Sequence, residues 1–308
     1  MRSIKMTVPK LADMIELGLG LGVGDGYQPW IALARHNTSS VSNQSFVRMP
    51  RLARHCAFLS RSERFLAHVL WWAGALDVRE QFPLWPWPHP NPHQELDSVQ
   101  EWPQHPGMIE VAKDAGIKLY RYPGLPIPAV LTIDLMVTVR KRGGAPPRLI
   151  GISCKPQDQY LHAGPADRLR ERLELDHRYC DAGGIHYLLL HPEQLPRTLV
   201  RQLEWLAPRA TQRELDALRQ STAYSKFVER LRDRLYTTPA SRAIRAAGRA
   251  IGWNEPTSDQ MGRTAIWLLD VDVDLSVPVL LHAPLQPGGV ALRREIRRRI
   301  FGEGWSCN

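Results

Sequence analysis

Two apolar runs rich in β-branched residues, 129–140 and 148–155, flank the turn segment Lys141-Arg142-Gly143-Gly144-Ala145-Pro146-Pro147, and no other stretch limits the possible folds as tightly. Runs of this length, punctuated by Gly and Pro, read as two strands of a β-hairpin with a longish loop. One residue conflicts with the pattern. Asp134 lies inside Leu131-Thr132-Ile133-Asp134-Leu135-Met136-Val137, where burying an unpaired carboxylate is costly, so a charge retained there suggests a ligand. The return run, Ile150-Gly151-Ile152-Ser153-Cys154-Lys155-Pro156, ends on a lysine, and Pro156 stops the pairing. Residues directly opposite in an antiparallel hairpin share a face, so pairing Asp134 with Ser153 or Lys155 would put all three on one surface. A slip of one residue would turn Asp134 away from Lys155, and a simple cross-strand ion pair accounts for the same two residues.

The surroundings of the hairpin read as a compact α/β unit over 51–192. Ser60-Arg61-Ser62-Glu63 fits a capping box, and Phe65, Leu66, Val69, Leu70, Ala73 and Leu76 follow at helical spacing. By itself this makes Glu63 a cap. Residues 78–84 read as a strand, and 85–106 are too rich in Pro, His and Trp to be regular. A charged amphipathic helix spans about 166–180, Gly183-Gly184 ends it, and 185–190 form a further strand. Helix, strand, hairpin, helix and strand in that order predict a mixed sheet. Before this unit, 1–50 reads as a flexible or extended lead-in. Its glycines at 18, 20, 22, 24 and 26 run into Pro29-Trp30 and lack the spacing of a phosphate loop. After it, short helices are expected at about 196–206, 212–218, 225–235, 241–251 and 258–269, with 271–281 as strand or wing. That is the outline of a mostly helical, winged-helix-like domain over 193–289.

Charge narrows the choice of partners. Forty Lys plus Arg against 31 Asp plus Glu leave a formal charge of +9, which suits a polyanion such as nucleic acid. The tail, 290–308, gathers Arg293, Arg294, Arg297, Arg298 and Arg299 around Leu292, Ile296 and Ile300. A basic amphipathic helix there would touch phosphates or an acidic partner, or would be a plain solvated face. The four cysteines, Cys56, Cys154, Cys180 and Cys307, have neither CxxC nor zinc-ligand spacing, so a zinc site and a disulfide framework are not expected, and a reducing cytoplasm is. An apolar leader and an 18-residue apolar run are both lacking, which argues against secretion and a membrane partner.

A helix glutamate, a strand aspartate and a lysine two residues after a polar position together resemble the restriction-endonuclease-like core, and more closely the TnsA-type transposon endonucleases. The resemblance begins at Gly22-Val23-Gly24-Asp25-Gly26-Tyr27-Gln28-Pro29-Trp30. It continues through Leu59-Ser60-Arg61-Ser62-Glu63, Val78-Arg79-Glu80-Gln81-Phe82-Pro83-Leu84, Thr132-Ile133-Asp134-Leu135 and Lys155-Pro156. Leu173-Glu174-Leu175-Asp176-His177-Arg178-Tyr179 and Leu203-Glu204-Trp205-Leu206 close it, so that it covers roughly 20–206. The ordered set is specific where no single motif is. It implies that Glu63 and Asp134 are metal ligands, that Lys155 is the active-site lysine, and that one or two Mg²⁺ ions, or Mn²⁺ as substitute, serve hydrolysis. Ser153 departs from the Gln, Glu or Asp usual there, so a second ion would lean on Ser153, on water or on the Cys154 main-chain carbonyl. The same resemblance implies cuts at the 5′ ends of a transposon, with DNA, a TnsB-like transposase and a TnsC-like AAA+ ATPase regulator as partners, on DNA in a bacterial cytoplasm. The alternatives are a stand-alone restriction or repair nuclease, and a DNA-binding scaffold with a degenerate site.

Overall fold

The computed structural model describes residues 6–31, 43–97, 100–140, 146–164 and 167–302. Its first elements are α1 (Val8–Glu16), β1 (Ser45–Arg48), β2 (His55–Phe58), α2 (Arg61–Ala73), β3 (Asp77–Leu84) and α3 (Met108–Asp114). Then come β4 (Leu131–Val139), β5 (Arg148–Cys154), α4 (Gln157–His162), α5 (Arg168–Ala182) and β6 (His186–Leu190). The remainder is α6 (Arg197–Leu206), α7 (Gln212–Gln220), α8 (Thr222–Arg232), α9 (Ala240–Arg249), α10 (Glu255–Leu268) and α11 (Gly289–Phe301).

Strands β3, β4, β5 and β6 lie side by side in that order, antiparallel except for the last pair. The expected hairpin is β4–β5, and its loop residues 141–145 lie outside the described residues. A parallel step needs a crossover, and α5 provides it, covering one face of the sheet. Leu175, Tyr179 and Cys180 of α5 pack there with Ile133, Met136 and Leu149. Gly151 permits the approach, because a Cβ at that position would stand 2.5 Å from Cys180 Sγ. On the other face Leu66 and Leu70 of α2 pack with Leu135, Val137, Ile150 and Ile152. The mixed sheet flanked by helices is the architecture expected of a restriction-endonuclease-like core.

Both strands at the β3–β4 edge change faces at one point. Val78 and Leu135 belong to the α2 side, whereas Phe82 and Ile133 belong to the α5 side. Between them lie Gln81 and Asp134, the positions where the ladder lacks a pair, and Gln81 has a φ of 51°. A left-handed glutamine inside a strand is strained, and such strain persists where the surroundings enforce it. The irregularity turns the Gln81 amide toward Glu63 on α2.

Several expectations need correction. Residues 24–27 of the lead-in are pinned rather than loose: Gly24 N–H donates to Asp77 Oδ2 (2.7 Å), Ala53 N–H to Asp25 Oδ1 (2.6 Å) and Tyr27 Oη–H to the Glu80 carbonyl (2.9 Å). Residues 271–281 form no strand. Val271, Val273 and Leu275 are buried at alternate positions as an extended chain would bury them, but the Gln202 amide, in place of a neighbouring strand, donates to the Leu275 and Val277 carbonyls (both 2.9 Å). Nor do the tail arginines form one solvent-facing stripe. Arg297 is buried, and a Cβ on Gly74 would stand 3.1 Å from its guanidinium and 3.3 Å from that of Arg293. Gly74 caps the C-terminal end of α2, whose partial negative charge favours cations. Arg298 and Arg299 both bond Glu295 (2.7 Å each). One hydrophobic cluster runs from Met49 through α2, β4 and β5 into α6–α11, so the helices after β6 share the core of the sheet. Among the described residues no helix is long and apolar enough to cross a membrane.

Candidate active site

Glu63 is placed by the start of α2. Ser60 caps the helix by accepting the Glu63 N–H (3.2 Å), as the sequence predicts. The return half of the capping box is altered, because the carboxylate accepts from Leu59 N–H (3.0 Å) and from the Ser60 hydroxyl (2.8 Å). Its third donor is Gln81 Nε2 (3.1 Å), and Gln81 Oε1 accepts in turn from the Thr132 hydroxyl (3.0 Å), which ties α2 to β3 and β4. All these donors are neutral. Burial, then the negative charge of Asp134, push the Glu63 carboxyl up to about 7, against the hydrogen bonds of Ser60 and Leu59 and the charge of Lys155.

Asp134 and Lys155 meet where the sheet frays. The β4–β5 ladder ends at Leu135 opposite Ile152, and the Asp134 side chain takes over the next contact. Its Oδ2 accepts from Cys154 N–H (2.7 Å) and from Lys155 Nζ (2.6 Å). Main-chain groups in a strand alternate between neighbours, and Lys155 N–H turns to Leu190 (3.1 Å). The Cys154 amide and carbonyl therefore turn toward Asp134. Burial pulls the Lys155 ammonium down, but Asp134, with Asp176 and Glu63 behind it, outweighs that and holds it above its ordinary value.

Ser153 is engaged on the α5 side. Its hydroxyl donates to Asp176 Oδ2 (3.0 Å), while Arg172 Nε donates to Asp176 Oδ1 (2.8 Å) and Arg172 Nη2 to the Thr132 carbonyl (2.7 Å). Burial raises the Asp176 carboxyl and the charge of Asp134 adds to it, despite Arg172 and Ser153. The carboxylate missing at position 153 thus has a counterpart on the adjoining helix. Sequence reasoning left Asp176 and Gln81 out of the site, although each carried a signal. Gln81 is polar in a strand buried at every position, and Asp176 precedes the buried Tyr179 and Cys180 by one helical turn.

The structure therefore brings Glu63, Asp134 and Lys155 together, keeps the Cys154 carbonyl on their side, and places Arg293 and Arg297 of the tail in a separate region around Gly74. Among the described residues no group of three or more His, Cys, Asp or Glu side chains is arranged to hold a metal. A buried carboxylate whose ionisation is opposed by the charge of a neighbouring aspartate fits a hard cation that completes its shell with water and substrate oxygens, as Mg²⁺ does.

No protein-family model matches the chain. It is similar to the transposon Tn7 transposition protein TnsA of Escherichia coli, with 26% identity over 197 residues, covering 64% of this chain and 62% of that protein. The chain thus matches less than two thirds of its relative's length. The similarity to TnsA is distant, and it accompanies a mixed sheet flanked by helices.

Proposed function

We propose that the chain is a divalent-metal-dependent DNA endonuclease, the subunit of a heteromeric transposase that hydrolyses the strand at the 5′ ends of the transposon. One observation carries the reading: a buried glutamate held only by neutral donors faces an aspartate whose lysine partner stands at the same frayed edge of the sheet. Glu63 and Asp134 would hold the cation, with the Cys154 carbonyl beside them. When bound, Mg²⁺, or Mn²⁺ in its place, polarises the scissile phosphate and makes a water more acidic. Lys155 has one ammonium proton engaged by Asp134, and the others can orient the attacking water or meet charge developing on the phosphate. Ser153 serves as a support for Asp176 rather than as a ligand, which favours a single protein-held ion. Similarity to TnsA further supports a TnsB-like transposase that cuts and joins the 3′ ends and a TnsC-like ATPase regulator as partners.

The experiment is a strand-specific cleavage assay on end-labelled donor DNA in the reconstituted complex. Asp134→Ala should abolish cutting at the 5′ ends while 3′-end cutting and joining continue. Unchanged 5′ cutting, or equal loss of both cuts in an assembled complex, refutes the assignment.

A further inference from the structure

A second charged feature lies beside the site, and the catalytic reading does not use it. Between the first turns of α2 and α6 is a cleft of about 360 Å³ lined by Arg61, Arg197, Arg201, Phe65, Leu195 and Glu193, among others. All three arginines are exposed, and among the described residues none of them forms an ion pair. Their neighbour Arg64 differs, because it is bonded to Glu204 of α6 (3.1 Å) and ties the two helices together. Glu193 is the single acidic lining residue, and its carboxylate accepts the Gln157 N–H (3.3 Å). Three unpaired guanidinium groups around one cleft repel one another until an anion enters.

The position relative to the catalytic residues is fixed by the chain. Arg61 lies two residues before Glu63, in the same first turn of α2. From the other side, Lys155 is bonded through its N–H to Leu190 and through its carbonyl to His191 Nδ1 (2.8 Å), and the chain then runs directly through Glu193 and Leu195 into Arg197. Phe65, Leu195 and Val200 give the cleft an apolar floor. Guanidinium groups above an apolar floor suit a sugar–phosphate backbone, whose charge is on one edge and whose deoxyribose is on another.

We propose that this cleft binds the backbone of the DNA strand beside the scissile phosphate, with Arg61, Arg197 and Arg201 on consecutive phosphates and Phe65 and Leu195 against the sugars. The inference rests on the DNA-nuclease reading and deepens it. It assigns the register of the substrate to residues that hold no metal and transfer no proton. Their loss should therefore act on binding and leave the chemical step in place.

The test uses the full chain and the triple variant R61Q/R197Q/R201Q, with a fluorescein-labelled duplex titrated in Ca²⁺ over a range of salt, and cleavage followed in Mg²⁺ in the reconstituted complex. Each neutralised phosphate contributes about 0.9 to the slope of log affinity against log salt, so the variant should show a slope shallower by roughly 2 to 3. Its KM should rise while kcat at saturating DNA stays near the parent value. The charge-retaining variant R61K/R197K/R201K should recover the salt slope, which separates loss of charge from misfolding. A parent that neither binds nor cuts DNA would overturn the function and the cleft together. A parent that cuts DNA, beside a folded triple variant with unchanged affinity and salt slope, would overturn the cleft alone. Loss of binding to a protein partner with DNA affinity intact would also overturn it, in favour of an acidic protein surface.

Discussion

Glu80 and Glu63 are both buried glutamates at the same end of the molecule, and they are treated in opposite ways. Glu80, on β3, takes two bonds from the Arg54 guanidinium (2.7 and 2.9 Å) and a third from Ala57 N–H (3.0 Å). Its charge is answered on the spot, and it fastens β2 and the loop before it to the sheet. Glu63 receives only an amide N–H, a hydroxyl and a carboxamide, and the charge with the largest effect on it is that of Asp134, of the same sign. A fold that needs a buried carboxylate for architecture supplies a guanidinium. Where it leaves one short of positive charge, the missing partner arrives from outside, and in the proposed function that partner is the cation.

The largest effect expected from this contrast is catalytic. Asp134→Ala should slow 5′-end cutting by at least about a thousandfold, because loss of a single transition-state stabiliser already costs about a hundred- to a thousandfold. Its melting temperature should fall only modestly, because relief of the repulsion on Glu63 offsets in part the loss of the bonds from Lys155 and Cys154 N–H. A drop as large as that expected for breaking a fully buried pair would mean that the site is an architectural ion pair after all, of the Glu80 kind. Arg54→Met sets the opposite case. It strands Glu80 in the interior, and breaking a buried pair from one side costs about 3–5 kcal/mol, to be read by denaturant titration. If Arg54→Met is mild and Asp134→Ala is severe, the division drawn between the two glutamates fails.

A smaller effect appears in the dependence of stability on pH without metal. Folded Glu63 titrates at about 7, above the 4.5 of the unfolded chain, so between those values the folded protein keeps a proton that the unfolded chain has lost. Stability from this group is full below about pH 4.5 and declines as pH rises through 7, at up to about 1.4 kcal/mol per pH unit. His68 slopes the other way. Its folded value of about 4 lies below 6.5 because burial, and then Arg64, disfavour its charged form, so its contribution is present above 6.5 and is lost as pH falls through 4. Glu63→Gln should remove the alkaline decline in EDTA and leave the acid limb intact. In the parent, Mg²⁺ should raise the melting temperature more at pH 8 than at pH 6, because the ionised carboxylate binds it. A decline that survives Glu63→Gln assigns that titration elsewhere.

Much of this organisation was legible in the sequence where the signal was local. Asp134 in an apolar strand, Lys155 before a stop, and Ser60 capping a helix were each read from a few neighbouring residues, and the structure places them accordingly. What was not legible depended on distant contacts. The first fifty residues look loose in isolation, but Asp25 and Tyr27 are held by bonds to Ala53 and Glu80 that no local pattern encodes. Residues 271–281 have the alternation of a strand and lack a neighbouring strand, because the Gln202 side chain takes that place. Tail arginines that count as free charge in a composition are partly buried against the end of α2.

The smallest effect concerns Gln81, whose role depends on both backbone and side chain. Its φ of 51° lies in the left-handed region, where a side chain is tolerated at some cost and glycine is at ease. Its amide joins Glu63 to Thr132 (3.1 and 3.0 Å) across the point where β3 and β4 change faces. Gln81→Gly keeps the conformation and removes only the bridge, so the fold should survive with little change in melting temperature. Glu63 would lose one of the donors that aim its carboxylate, and loss of such an outer partner typically lowers metal affinity by about 10- to 100-fold. We expect the low end of that range, about tenfold, because Leu59 N–H and the Ser60 hydroxyl still hold the same carboxylate. Measured as the Mg²⁺ concentration giving half-maximal cleavage, the shift should appear with a nearly unchanged rate at saturating metal. A Gln81→Gly protein with parental Mg²⁺ dependence would show that the amide bridge serves the strand crossing alone, and that Glu63 is aimed entirely from its own helix.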